Sequence, residues 1–292
     1  MQQKSVLLKN GETLNYYEQG NCKDVLLLIH GNTSSAMFFE PLFEKLPKSI
    51  RVIAPDLRGF GKSSYVNKIE TLSDFSYDIS LFLEALDIKY VDILGWSLGG
   101  VIALDFALNY QSMTDALILL SSGSLKGYPI FKKDATGKPL LGQIYESKDA
   151  LSKDMVQVLP LLNAYQTQNV AFMEYIYDLA IYTGKKPDKE KNRVWMQDAL
   201  LQRNLVDVDW ALANYNASNT PSLYQPGSGK INNLKSKTLI IWGDKDITVP
   251  KFMFDENVSM IPDNDHIIYE NCGHSIVVDD PERLAIDIVS FI

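Results

Sequence analysis

The chain has 292 residues, of which 46% are hydrophobic, so it is long enough and apolar enough to bury a sizeable core. Its formal net charge of -8 gives no basic footprint for nucleic acid, and no run of Lys or Arg suggests a patch that would bind acidic lipids. These properties exclude a disordered protein and favour a small neutral or weakly charged molecule as the partner.

The first residues and the cysteines bear on the expected location. The amino-terminal segment is interrupted by polar residues and lacks the apolar centre of a signal peptide, and no stretch is apolar enough to cross a bilayer. Cys22 and Cys272 fit a reducing compartment and do not form a metal-ligand spacing. We therefore expect a cytoplasmic protein that binds neither membrane nor nucleic acid.

In chain order, the predicted elements begin with a hairpin and continue as alternating strands and helices. Segments 5–8 and 13–18 flank Asn10-Gly11, a dipeptide typical of tight β-hairpin turns. Apolar runs with strand character follow at 25–29, 51–54, 90–94, 116–120, 238–242 and 266–269. Apolar residues at helical spacing predict helices at 35–46, 74–86, 100–110 and 281–292. The alternation predicts an α/β fold with a mostly parallel central sheet that is covered by helices on both faces.

The alternation stops between about residues 124 and 230. Helical patterns occur there at 170–182 and 191–201, aromatic residues are frequent, and little indicates a buried strand. The Pro-, Gly- and Ser-rich stretch 221–229 suits a return linker. The expected organisation is a core of residues 1–123 and 231–292 with a helical cap inserted at 124–230.

The residues after the strand predicted at 90–94 spell Gly-Trp-Ser-Leu-Gly, which is the G-x-S-x-G pattern of a nucleophile elbow. The glycines permit a tight turn from strand to helix that holds Ser97 in strained backbone geometry with its hydroxyl exposed. A serine hydroxyl is a poor nucleophile without a base, so Ser97 needs a partner elsewhere in the chain.

A base for Ser97 must come from one of only three histidines. His274 lies beside Gly273 in a loop after a predicted strand, where loops at the carboxyl ends of parallel strands converge, and it is the candidate general base. His30 also follows a strand, but its place in a His-Gly pair suggests a residue that tethers a loop. His266 begins a strand and is expected at the surface or a sheet edge.

These motifs resemble those of α/β-hydrolases with a lid or cap domain. The matching segments are Leu28-Ile29-His30-Gly31-Asn32, Asp56-Leu57-Arg58-Gly59-Phe60-Gly61-Lys62-Ser63, the elbow at 95–99, Trp242-Gly243-Asp244-Lys245-Asp246, and Cys272-Gly273-His274. The resemblance implies a Ser-His-Asp triad whose members follow the chain order serine, acid, histidine. It also implies a reaction that requires no cofactor.

A buried carboxylate is needed to orient the imidazole and to stabilise its positive form. In the pattern of this family the acid stands three residues after a glycine, so Gly243 places it at Asp246. Asp244 is the competing candidate and is interpreted as a turn residue. The implied catalytic residues are therefore Ser97, Asp246 and His274.

Negative charge develops on a carbonyl oxygen during attack by the serine, so two preorganised donors are expected. By the same resemblance, these donors are the backbone amides of Asn32 and Leu98. Two interpretations of the Asn32 side chain stay open, namely a contact with substrate or water and the turn that an asparagine after His-Gly favours.

Three strings in the inserted segment, together with Gly-Trp-Ser in the elbow, are similar to bacterial intracellular polyhydroxybutyrate depolymerases. They are Lys126-Gly127-Tyr128-Pro129, Ile181-Tyr182-Thr183 and Gln202-Arg203-Asn204-Leu205-Val206-Asp207. This similarity implies hydrolysis of short 3-hydroxyacyl esters.

Two rival readings conflict with particular residues. His-Gly-Asn also resembles haloalkane dehalogenases, but those enzymes attack with an aspartate, and position 97 is serine. The strings Gly61-Lys62 and Gly229-Lys230 lack the spacing of a phosphate-binding loop, so no nucleotide or metal is expected.

The sequence thus predicts a serine hydrolase that cleaves a carboxylic ester of a small or short-oligomer substrate through an acyl-enzyme intermediate. Hydrolysis of lactones or of carbon-carbon bonds beside a ketone would use the same residues. A lyase or cofactor-free oxygen enzyme, or a receptor that retains the triad with negligible turnover, are the alternatives of other classes.

Overall fold

In the computed structural model, which describes residues 1–292, eight of the ten strands form one sheet. The strands are β1 (Gln2–Leu7), β2 (Thr13–Gln19), β3 (Val25–Ile29), β4 (Arg51–Pro55), β5 (Val91–Trp96), β6 (Thr114–Leu120), β7 (Phe131–Lys133), β8 (Pro139–Ile144), β9 (Lys237–Gly243) and β10 (Asn264–Tyr269). The order in the large sheet is β1-β2-β4-β3-β5-β6-β9-β10. Within this sheet only the β1–β2 and β2–β4 pairs are antiparallel, so the prediction of a mostly parallel sheet is confirmed.

Eleven α-helices accompany these strands. They are α1 (Glu40–Lys45), α2 (Leu72–Ala85), α3 (Leu98–Asn109), α4 (Lys148–Ser152), α5 (Leu159–Thr167), α6 (Val170–Ala180), α7 (Lys189–Ala199), α8 (Leu205–Ala213), α9 (Lys251–Met260), α10 (Ile276–Asp279) and α11 (Pro281–Phe291). None of them combines the length and the hydropathy that a membrane span requires.

The hydrophobic core is divided by the sheet into two clusters of 41 and 37 buried residues. Successive residues of a central strand alternate between them, as Leu27 belongs to the first and Leu28 to the second. This alternation follows from the two-residue period of a strand and shows that both faces of the sheet are buried. Helices α2 and α3 contribute to the first cluster, and α1 and α11 contribute to the second.

The helix predicted at 35–46 is divided in the structure. A 3-10 turn covers Ala36–Phe39, and α1 begins only at Glu40. Pro41 explains the division, because proline lacks an N–H group and fits the first turn of a helix rather than its interior.

The residues between β6 and β9, 121–236, form an insertion that contains α4 to α8. It also contains the antiparallel hairpin β7–β8, which was not predicted. The hairpin strands are at most half-buried and carry several polar residues, so they lack the apolar run that marks a buried strand. Their turn is held by Asp134, whose Oδ1 accepts from the backbone N–H groups of Thr136 and Lys138.

A buried ion pair fixes the loop that follows β4. The Arg58 guanidinium donates to both carboxylate oxygens of Asp78 on α2, at 2.6 and 2.7 Å. The Arg58 and Asp78 side chains are only 5% and 1% exposed, and the buried Glu12 lies 3.8 Å from Arg58. The pair therefore joins the turn after β1, the loop after β4 and helix α2.

Replacement of Arg58 by methionine should lower the free energy of unfolding by about 3–5 kcal/mol, because Asp78 would remain buried without its cation. Chemical denaturation of the two proteins measures this difference. The matched control is Lys153→Met, which removes the cation of an exposed i,i+4 pair with Asp149 and should change stability by less than about 1 kcal/mol. Equal losses in the two variants would contradict the role assigned to the buried pair.

Candidate active site

Ser97 lies at the turn between β5 and α3 with φ 59° and ψ -120°, a conformation that non-glycine residues rarely adopt. The turn requires close approach of the backbone at two glycines. A Cβ at Gly95 would overlap the backbone of Gly99, and one at Gly99 would overlap the carbonyl oxygen of Ile29. The Ser97 side chain remains partly exposed and lines a cavity between the sheet and the insertion.

The predicted acid and base are in contact. His274 follows β10 and Asp246 follows β9, and these strands are parallel neighbours, so the two loops leave the same edge of the sheet. His274 Nδ1 lies 2.8 Å from Asp246 Oδ2, and both side chains are almost fully buried. Asp246 Oδ1 accepts from the backbone N–H groups of Thr248 and Val249, each at 2.9 Å. Both oxygens of the Asp246 carboxylate are therefore hydrogen-bonded, which fixes its orientation.

The alternative acid, Asp244, does not contact the imidazole. Its side chain is exposed, and its backbone N–H donates to the carbonyl oxygen of Tyr269 at 3.0 Å. This position agrees with the interpretation of Asp244 as a turn residue.

Ser97 and His274 both line the cavity, but no hydrogen bond joins their side chains in this structure. Hydrogen bonds between a nucleophile and its base are often longer without substrate than in the reacting complex. Trp96 connects the two loops, because its Nε1 donates to the carbonyl oxygen of His274 at 2.8 Å. The histidine loop is therefore bonded to the residue that precedes Ser97.

The two residues proposed from sequence as amide donors line the same cavity as Ser97. Leu98 is the first residue of α3, and the first amides of a helix have no acceptor within the helix. The backbone N–H of Asn32 donates to no acceptor in the protein. Both amides therefore remain free to bind an oxygen atom beside Ser97.

His30 is fully buried and bonded at both ring nitrogens. Its Nε2 accepts from the backbone N–H of Leu57 at 3.0 Å, and its Nδ1 lies 2.8 Å from the carbonyl oxygen of Gly31. Burial lowers the pKa of His30 to about 4, so the ring is neutral and Nδ1 carries the proton that is donated to Gly31. As expected from the sequence, His30 tethers the loop after β3.

The cavity has a volume of about 310 Å³ and a mainly apolar lining. Of the many aromatic residues in the insertion, Tyr128, Phe172 and Tyr177 line it. No Lys or Arg side chain reaches the cavity, and Asp209 on α8 is its one carboxyl group. Burial raises the pKa of Asp209 to about 7.

A family profile described as the alpha/beta hydrolase fold matches residues 24–281. The chain belongs to the α/β-hydrolase family. The sequence-based prediction of this fold is confirmed, and the chain is a hydrolase of the α/β family.

Individual relatives of this α/β-hydrolase differ in their named activities. An uncharacterised protein of Mycobacterium tuberculosis is 27% identical over 272 residues, which cover 90% of this chain and 73% of that protein. A 2-hydroxy-6-oxononadienedioate/2-hydroxy-6-oxononatrienedioate hydrolase of Paraburkholderia phymatum is 24% identical. The aligned residues cover 92% of this chain and 87% of that protein. Among solved structures, an esterase from Exiguobacterium antarcticum matches with a TM-score of 0.73 and 19% identity over 99% of each chain, which shows a common fold.

Asp209 and Gln202 belong to the surroundings of the site but were not predicted from the sequence. Asn32 Nδ2 donates to Asp209 Oδ1 at 2.8 Å, and Gln202 Nε2 donates to Asn32 Oδ1 at 2.8 Å. Both partners are about 170 residues away from Asn32 in the chain, and no local pattern indicates contacts of that separation. In the sequence, the string that contains Gln202 indicates only the similarity to depolymerases.

The depressed pKa of His30 predicts a specific loss of stability in acid. Because the ring has an ordinary pKa of 6.5 when unfolded and about 4 when folded, its contribution is complete above pH 6.5 and is lost as the pH falls towards 4. From pH 6.5 to 5 the wild type should lose about 1.5 kcal/mol more than His30→Gln.

Urea denaturation of both proteins at pH 6.5 and 5 measures this difference. The control is His266→Gln at an exposed position, which should preserve the pH dependence of the wild type. Parallel pH curves for wild type and His30→Gln would show that His30 is not held neutral by the fold.

Proposed function

We propose that this α/β-hydrolase cleaves a carboxylic ester of a small or short-oligomer substrate through an acyl-enzyme intermediate. Ser97 is the nucleophile, His274 is the general base and Asp246 orients His274. The backbone amides of Asn32 and Leu98 form the oxyanion hole. The observation that carries the proposal is the 2.8 Å contact between His274 and Asp246 at the edge of the cavity that Ser97 lines.

In this mechanism, His274 Nε2 takes the proton from Ser97 as its oxygen attacks the ester carbonyl. The contact of Nδ1 with Asp246 supports this step, because it leaves Nε2 as the unprotonated nitrogen of the neutral ring. The negative oxygen is stabilised by two amides, His274 returns the proton to the leaving alcohol, and a water activated by His274 releases the acid.

The residues 124–230 act in this proposal as a cap over the reaction site. Side chains from this segment line most of the cavity, among them Ile130, Leu161, Phe172, Ile176, Ile181 and Leu212. They would exclude water from the substrate and so strengthen the electrostatic interactions of the oxyanion hole. A cavity of about 310 Å³ is at the small end of ligand pockets and favours a short acyl group, such as a 3-hydroxyacyl ester.

Charge in the cavity favours a neutral ester over the kind of substrate that the name of one relative denotes. The name of the Paraburkholderia phymatum relative denotes a substrate with two carboxylates. A carboxylate would enter this cavity without a Lys or Arg partner and would approach Asp209. Because an unpaired charge in an apolar site is costly, a neutral ester fits better.

Replacement of Ser97 tests its role as the nucleophile. Purified wild type should hydrolyse a panel of nitrophenyl esters with acyl chains of increasing length, and the short esters should react fastest because the cavity is small. Ser97→Ala should reduce kcat by at least about a thousandfold, because no nucleophile remains. Turnover that survives in Ser97→Ala would contradict the mechanism, and binding of esters without turnover by the wild type would favour the receptor alternative.

Replacement of Asp246 and of Asp244 tests which of the two aspartates after β9 orients His274. Asp246→Asn should reduce kcat by about three to four orders of magnitude, because an amide does not stabilise the imidazolium and favours the wrong tautomer of His274. Asp244→Asn is the matched control at an exposed position and should change kcat by less than about twofold. The reverse order of effects would reassign the acid to Asp244.

A further inference from the structure

Asp209 is a buried carboxyl group that the proposed mechanism does not use. It lies on α8, is 9% exposed and lines the cavity beside Ser97. Its Oδ1 accepts from Asn32 Nδ2 at 2.8 Å, whereas its Oδ2 has no hydrogen-bond partner in the protein. Oδ2 is also accessible to solvent. One carboxylate oxygen therefore remains free to bind a ligand.

The position of Asp209 relates it to the acyl part of the substrate. Asn32 bonds Asp209 through its side chain, and its backbone N–H is free to bind the reacting carbonyl oxygen. The leaving alcohol must lie near His274, which returns its proton. The acyl chain then occupies another part of the cavity, and Asp209 lines this cavity and is bonded to the side chain of Asn32.

The chemistry of the free oxygen defines the group that it can bind. A carboxylate oxygen accepts hydrogen bonds and repels other acceptors, so its partner must carry a donor. An ammonium group has three donors and needs several acceptors. The nearby Asn32 side chain does not supply a second one, because its oxygen already accepts from Gln202 and Thr33. A hydroxyl group has one donor and matches the one free oxygen.

We propose that Asp209 is a specificity-determining residue that binds a hydroxyl group on the acyl chain, close to the scissile carbonyl. This inference rests on the proposed esterase function and extends it. It defines the preferred substrate as a short hydroxyacyl ester and assigns the recognition of its hydroxyl group to one side chain. Without that hydroxyl, binding of an acyl chain would leave Oδ2 of this buried carboxyl group without a partner, which is costly.

The test compares three nitrophenyl esters with the same leaving group, namely 3-hydroxybutyrate, 3-methoxybutyrate and butyrate. At pH 8.5 Asp209 is ionised, because its pKa is about 7. The wild type should then hydrolyse the hydroxy ester with a kcat/KM at least about tenfold above those of the other two, since only the hydroxyl can donate.

Two variants remove the acceptor in different ways. Asp209→Asn has the same size, and its amide oxygen can still accept from Asn32, whereas its NH2 group donates equally to a hydroxyl or a methoxy oxygen. The ratio of kcat/KM for the hydroxy and methoxy esters should therefore fall to about one. In Asp209→Leu the preference for the hydroxy ester over butyrate should disappear. A purely structural effect through Asn32 would lower the rates of all three esters together and leave both ratios unchanged.

The matched control is Asp207→Asn on the same helix. Asp207 accepts from Tyr65 Oη at 2.6 Å and from Lys148 Nζ at 2.8 Å, and it does not line the cavity. This variant should keep both ratios of the wild type. Equal turnover of the three esters by the wild type would overturn the inference, as would a preference for a 3-aminobutyrate ester over the hydroxy ester. If no ester were hydrolysed in a Ser97-dependent manner, the proposed function itself would fail.

Discussion

The left-handed backbone conformation of Ser97 is the constraint on which the rest of this structure depends. With φ 59° it is unfavourable for serine, so the surrounding fold must hold it in place. The backbone N–H of Ser97 donates to the carbonyl oxygen of Leu120, and α3 packs so closely on β3 that position 99 has no room for a side chain. The parallel sheet supplies these neighbours, because it brings the carboxyl ends of β3, β5 and β6 to one edge.

The insertion is bonded to the two loops that carry the proposed acid and base. Thr183 Oγ1 donates to the carbonyl oxygen of Lys245, and Thr248 Oγ1 donates to that of Ala180, at 2.7 and 2.9 Å. Asp279 lies against Gly184 and accepts from the backbone N–H of Gly273 at 2.6 Å. These bonds tie the segment between β6 and β9 to the positions beside Asp246 and His274. This segment therefore helps to position the two loops that carry the proposed acid and base.

Sequence reasoning succeeds where a residue's role depends on its local surroundings. The buried strands were predicted because each is a continuous apolar run, and the candidate site residues were proposed because each belongs to a short motif that contains glycine. The hairpin β7–β8 was missed because exposed strands need no apolar run. The contact between Asp209 and Asn32 could not be predicted, because it spans 177 residues and forms only in the folded chain.

The hydrogen bond between Asn32 and Asp209 links the two functions proposed for this part of the site, stabilisation of the oxyanion and recognition of the acyl group. Rate acceleration requires interactions that are stronger in the transition state than in the bound substrate, and the proposed amide donor of Asn32 acts in that way. Asp209 fixes the side chain of this same residue, at 2.8 Å. A substrate hydroxyl that binds the second oxygen of Asp209 would hold the carboxyl group, and through it the loop of Asn32, in one position. Recognition of the acyl group would then reduce the reorganisation needed to stabilise the oxyanion, so that binding energy from the hydroxyl contributes to the rate as well as to affinity.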